Sequence, residues 1–353
     1  MTKQKKRVDQ SMNPFAERLD AFVKAIAKRK LDVALVRDQA NVRSLTGVDC
    51  DNAALLVWAN GDVVFHTDFR YIPMVHRVAP WLKTKDLKKL DFKAKKIGYE
   101  SNMTVARFEA FKKNHRAAKF TDILAVLHEL RSVKTADEIA KLRAAAKLND
   151  EIWSEAAKSF KPGMTELDMA RTIKHLMIER GEGEAFETIV CIGKNAAECH
   201  HVPDETVWDG KEPVLVDMGV KLFGYCSDMT RNIPPKRESK RYSEVYDAVL
   251  GANLAAIAAA KPGMTAGGLD KVARDFLKKR GFVKEFGHSL GHGVGIEIHE
   301  PPAIANKQTA KLKPGMVHSI EPGVYVEGEL GVRIEDLVLI TKDGAELISH
   351  STK

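Results

Sequence analysis

The chain has 353 residues, 44% hydrophobic and 29% charged, with a formal net charge of +8. That length exceeds what one core usually serves, so two domains are expected, and the composition excludes a disordered or fibrous protein. The cysteines Cys50, Cys191, Cys199 and Cys226 form no CxxC pair and no dense framework, which excludes a zinc knuckle or a disulfide-stapled fold and reads as free thiols.

The first fifteen residues are basic, but no apolar run follows that could serve as a signal-peptide core, and no stretch approaches a membrane span. A cytoplasmic protein without a membrane partner is expected. Phe15 to Lys30 has the spacing of an amphipathic helix, DVALV at 32–36 that of a buried strand, and AALLVWANGDVVFHTD that of a hairpin turning at Asn60-Gly61. These elements predict a small α/β domain over residues 14–130. Its one marked lysine cluster, at 83–96, has neither aromatic interleaving nor a nucleic-acid motif, so it reads as a solvated face rather than a nucleic-acid site. LHELRSVKTADEIAKLRAAAKLNDEIW then opens a long helix, with Thr135 and Glu138 in capping-box spacing and Ile139, Leu142, Ala146 and Ile152 near one face. It begins a second domain, residues 131–353.

That second domain contains an internal repeat. KPGMT occurs at 161–165 and again at 261–265, each a Pro-Gly turn ending in a threonine that can cap a helix. The helices run to Arg180-Gly181 and Arg280-Gly281, with Phe186 and Phe286 beyond, at a constant offset of 100 residues. Chance recurrence of a turn string does not explain a constant offset, so two helix-plus-strand halves related by a pseudo-two-fold are expected. A site at their junction takes matched residues from each half.

Across the repeat, Asp217 in VLVDMG matches Glu321 in HSIEPG, and Asp228 in GYCSDMTR matches Glu335 in GVRIEDL. Asp217 and Asp228 lie on opposite faces of any single straight strand, so Gly219 to Gly224 must turn the chain back for both to point inward. Four crowded carboxylates repel one another unless cations neutralise them, and two divalent ions match their charge. The glycine-rich run GHSLGHGVGIEIHEPP adds His288, His292 and His299, one of which completes the cluster. An oxygen-dominated donor set favours a hard ion such as Mn(II), with Co(II) or Zn(II) as alternatives.

With these motifs in order, the sequence resembles the Xaa-Pro aminopeptidase and prolidase branch of the creatinase/methionine aminopeptidase superfamily. LTGVDCDNAALLVWANGDVVFHTDFRY resembles the family's N-terminal domain, and LRSVKTADEIAKLRAA its inter-domain helix. The resemblance implies a mixed α/β (α+β) fold: a creatinase-like N-terminal α/β domain followed by a pita-bread catalytic domain. It implies that Asp217 binds one metal, that Asp228 and Glu335 bridge both, that His292 and Glu321 bind the other, and that a bridging water or hydroxide is the nucleophile. It places His200 near the substrate carbonyl, where Cys199 stands at a position often filled by proline. His299 falls about where His200 lies in the other half, and both can stabilise the oxyanion and assist the leaving nitrogen. It sets His288 beside the proline-side pocket and includes Tyr325 and Arg333, the latter orienting a carboxylate or the substrate. A homodimer, in which one chain's N-terminal domain helps close the other's site, is also implied.

Proline makes a tertiary amide without an N–H, so a dedicated peptidase is needed to cleave before it. The expected activity is a metalloaminopeptidase releasing the first residue from peptides with proline second. The nearest alternative is prolidase, restricted to dipeptides. Many short prolidases carry an arginine four residues after the second motif histidine to hold the free carboxylate, and this chain has Ala303 there. Methionine aminopeptidase lacks the N-terminal domain and the GVRIED motif, and creatinase has lost the ligands that are intact here. A non-catalytic binding protein of the same fold is the alternative from another class, and the intact ligand set argues against it.

Overall fold

The computed structural model describes residues 13–237 and 239–353, so the basic N-terminal run largely lies outside the described residues. The chain divides into two compact units, Met1–Arg131 and Ser132–Lys353. No described helix is long and apolar enough to cross a membrane.

In the first unit, short strands assemble a six-stranded mixed sheet among the described residues, in the spatial order Lys83–Asp86, Val63–Thr67, Ala54–Trp58, Val33–Val36, Lys96–Tyr99, Lys119–Asp122. The hairpin turns where expected: Ala54–Trp58 and Val63–Thr67 pair antiparallel around Gly61, whose φ of 89° suits glycine. Both sheet faces are covered, which is why Val33–Val36 is a continuous buried apolar run. Ala34 and Val36 pack with Leu19, Phe22 and Ile26 of the Ala16–Lys28 helix, and Val33 and Leu35 pack with Phe92 and Ile97. Burying Phe22 or Ile26 completely contributes about 1.5–3 kcal/mol each. Every lysine of the 83–96 cluster is exposed, as a solvated face requires.

The expected long helix is Ala136–Ser159, and a separate shorter helix, Leu124–Ser132, precedes it. Val133 leaves helical pairing to bridge Met316, and the buried Lys134 ammonium meets Glu300 at 2.5 Å. Thr135 then restarts the helix with a full capping box to Glu138, a cap worth about 1 kcal/mol.

The repeat is visible in detail. Thr165 caps Glu166–Arg180 and Thr265 caps Ala266–Arg280. Both turns close identically: the Gly163 amide donates to the Trp208 carbonyl and the Gly263 amide to the Leu312 carbonyl. In the first half, Ile152, Met169, Ile173 and Met177 pack onto Val190, Val214 and Val216 of the sheet formed by Met229–Ile233, Val214–Met218 and Ile189–Ile192. In the second half, the Lys240–Ala259 and Ala266–Arg280 helices bury Val249, Leu269 and Leu277 against Ile304, Ile320 and Val338. That sheet runs Glu300–Ile304, Gly291–Gly293, Val317–Ile320, Asp336–Ile340, Ala345–Leu347.

Candidate metal centre

Asp217 stands near the end of the Val214–Met218 strand, opposite Thr230 on Met229–Ile233. Between these strands the chain folds into a small hairpin, Lys221–Leu222 with Tyr225–Cys226. Ser227 closes its base, its amide donating to the Val220 carbonyl and its hydroxyl accepting from the Val220 amide at 2.9 Å. This reversal brings Asp228 back beside Asp217's strand.

His292 sits in Gly291–Gly293, where glycine permits close approach. A Cβ at Gly291 would lie 2.2 Å from the Ser319 carbonyl oxygen, and one at Gly293 2.4 Å from that of Pro301. The His292 Nε2 is 3.5 Å from Asp228 Oδ2 and 3.4 Å from Glu321 Oε1. Asp228, His292 and Glu335 can each offer a ligand atom within 4.8 Å of the others'. The Ser319 hydroxyl donates to Glu321 at 3.1 Å and accepts from the His292 amide at 3.1 Å, fixing both.

Arg333 is buried at the centre of a network. Its guanidinium donates to Asp217 Oδ2 at 2.7 Å, Tyr325 OH at 2.9 Å, Thr230 Oγ1 at 3.0 Å and the Cys199 carbonyl at 3.3 Å. Thr230 in turn donates to Glu335 at 2.8 Å, and His288 Nε2 lies 2.9 Å from Tyr325 OH. His299 rests against His292, ring centroids 4.3 Å apart. His200 is exposed on its loop, and burial, with smaller effects from Arg333, Arg274 and His200, lowers the His288 pKa to about 4. Thr230 and Ser319 were not singled out in the sequence. Their signal was strand alternation, since each stands two residues from a carboxylate, Asp228 and Glu321.

The electrostatics fit a cation site. Burial, then the neighbouring Glu335 and Asp217 charges, push the Asp228 carboxyl well above its usual range. Glu335 is raised in the same way by burial, Glu321 and Asp217. Burial and Asp217, opposed by Arg333, push Glu321 up to about 8. Asp217 Oδ1 is buried without a hydrogen-bond partner among the described residues. An anionic cluster with an unused buried oxygen is what divalent cations would neutralise.

Residues 140–342 match the model of metallopeptidase family M24, and residues 18–133 match that of the creatinase/prolidase N-terminal domain. The chain belongs to metallopeptidase family M24. It is thus a peptidase with a creatinase-like N-terminal domain and the pita-bread fold. Among its relatives is a Xaa-Pro dipeptidase of Pyrococcus furiosus, 33% identical over 348 residues, 96% of this chain and 99% of that protein. Among solved structures, a Xaa-Pro dipeptidase from Bacillus anthracis matches with a TM-score of 0.91 at 30% identity, covering 96% of this chain and 98% of that one. An X-Pro aminopeptidase from Thermotoga maritima matches with a TM-score of 0.84 at 30% identity, covering 92% and 98%. The four cysteines of this M24 chain are free, and only Cys199 is not buried.

Proposed function

We propose that the chain is an aminopeptidase that releases the N-terminal residue from peptides with proline second, using two divalent cations held by Asp217, Asp228, His292, Glu321 and Glu335. The observation that carries this reading is the convergence of four carboxylates and one imidazole, with Asp217 Oδ1 left unpartnered. Such a donor set, rich in oxygen, suits Mn(II), with Co(II) or Zn(II) as alternatives. Bound there, the cations would supply Lewis-acid polarisation of the scissile carbonyl and acidify the attacking water.

The chain's own side chains do the rest. The Glu321 carboxylate takes the proton of the attacking water and passes it to the proline nitrogen as the C–N bond breaks. His200 and His299 donate to the developing oxyanion. Arg333 holds Asp217 and Tyr325 in place from a buried position, and the Tyr325 hydroxyl meets His288 beside the proline-side pocket.

The names of the Pyrococcus furiosus and Bacillus anthracis relatives favour a second reading, a strict Xaa-Pro dipeptidase. Ala303 supports the aminopeptidase instead, because the position opposite His292 then carries no cation for a dipeptide's free carboxylate. Hydrolysis of Xaa-Pro and Xaa-Pro-Yaa peptides with added Mn(II) separates the two. The aminopeptidase cleaves the longer peptide at least as well, and a tenfold or greater preference for the dipeptide overturns it. The same reading includes a homodimer and a cytoplasmic location.

A further inference from the structure

Outside the carboxylate cluster, Glu166 is a heavily engaged acidic side chain. It is the first residue of the Glu166–Arg180 helix and is fully buried. Its Oε1 accepts from the Ile192 amide at 2.6 Å and from Asn195 Nδ2 at 2.9 Å. Its Oε2 accepts from the Asp204 amide at 3.1 Å and lies 2.7 Å from His201 Nε2. Glu166, His201 and Asp204 are within metal-ligand reach of one another. Both Glu166 oxygens are nevertheless filled by N–H groups, which makes the set a hydrogen-bonded clamp and not a cation site.

The clamp joins the other anchors of this segment, which opens with the short Gly193–Ala197 helix and is also held by Arg333 at the Cys199 carbonyl. Residues 193–206 carry His200 at an exposed position, and one carboxylate ties residues 192, 195, 201 and 204 to the start of a helix. Burial draws the His201 imidazole down, but the Glu166 carboxylate outweighs it and leaves its pKa above the ordinary value, as in a charge-assisted pair. The other half repeats the device with different residues. Buried Asp270 accepts from Arg274 Nε at 2.7 Å and from the Leu290 amide at 3.1 Å, while Arg274 donates to the Phe286 and His288 carbonyls at 3.0 and 2.5 Å. In each half, a buried carboxylate on the helix after KPGMT fixes a loop bearing a site histidine.

We propose that Glu166 and His201 are positioning residues that hold the His200 loop so that His200 meets the scissile carbonyl. This rests on the role given to His200 above.

The test uses the full-length chain with His201→Leu, His201→Gln and Glu166→Gln. Displacing a catalytic donor by a fraction of its working distance costs on the order of tenfold to a hundredfold in rate. His201→Leu should lower kcat by about tenfold with KM and metal content unchanged, and His201→Gln, which keeps an N–H for Glu166, should recover most of it. In a His200→Ala background, His201→Leu should cost nothing further. A full multiplicative loss there, or a His200→Ala variant with unchanged kcat, overturns the proposal. Amide hydrogen exchange gives a readout independent of activity: in Glu166→Gln the Ile192 and Asp204 amides should exchange about tenfold faster while residues 229–233 do not change. Unaltered exchange at both amides overturns the clamp. A wild-type chain that binds metal but cleaves no Xaa-Pro peptide defeats the peptidase reading instead, and the exchange measurement still decides whether the clamp exists.

Discussion

Ala303 pairs directly with His292 across the antiparallel ladder, so the two side chains leave the same sheet face with Cβ atoms about 4.5–5.5 Å apart. Ala303→Arg therefore places a guanidinium next to the proposed ligand, where the free carboxylate of an Xaa-Pro dipeptide would lie. A charge-assisted contact is worth about 1.5–3 kcal/mol, or roughly tenfold to a hundredfold in affinity. Ala303 is exposed, so solvent screening brings the expected gain to the lower end, about tenfold. The assay is kcat/KM for Ala-Pro and for an Ala-Pro-Yaa tripeptide, measured for both chains with metal content confirmed. The ratio should move about tenfold toward the dipeptide in Ala303→Arg. An unmoved ratio in a folded, metal-loaded variant would refute the argument that this position faces the carboxylate end of the substrate.

Asp228→Asn removes a charge from the centre of the cluster and should cost more than about a hundredfold in kcat/KM together with metal content. Arg333→Lys keeps its charge but cannot preserve all four contacts, and should cost about tenfold to a hundredfold with metal retained. Near wild-type turnover in Asp228→Asn would overturn its assignment as a ligand. His318 is fully buried, and burial lowers its pKa to about 4 from an unfolded value near 6.5. As pH falls from about 6.5 towards 4 the unfolded chain takes up a proton that the folded chain refuses, so stability should drop by on the order of 3 kcal/mol, with no contribution above pH 6.5. Denaturant titrations of wild type and His318→Phe check this, and equal acid sensitivity in the two would contradict it. Sedimentation velocity should show a dimer in solution, and a fully active monomer would remove that part of the proposal.

Much of this architecture was legible because its signals are local. KPGMT and the threonine caps need only a few consecutive residues, as do the Asn60-Gly61 turn and the Thr135 capping box. The carboxylates were recognisable as a set because the repeat paired them. What stayed hidden depends on distant partners. The break at Val133 and Lys134 is made by Met316 and Glu300, which no helical periodicity registers. Glu166 is a first-turn acid whose partner His201 lies 35 residues on, a pairing that only the fold makes. Arg333 stood out through the family resemblance, but its contacts to Tyr325, Cys199 and Asp217 span up to 134 residues of sequence.

The central claim, metal-dependent cleavage before proline, is tested most directly by stripping the chain of metal, counting the ions bound on reconstitution with Mn(II), and following Ala-Pro-Yaa hydrolysis in both states. The account predicts no cleavage in the stripped chain, and recovery as about two ions bind per chain. Undiminished cleavage in excess chelator, with no metal bound, would contradict it.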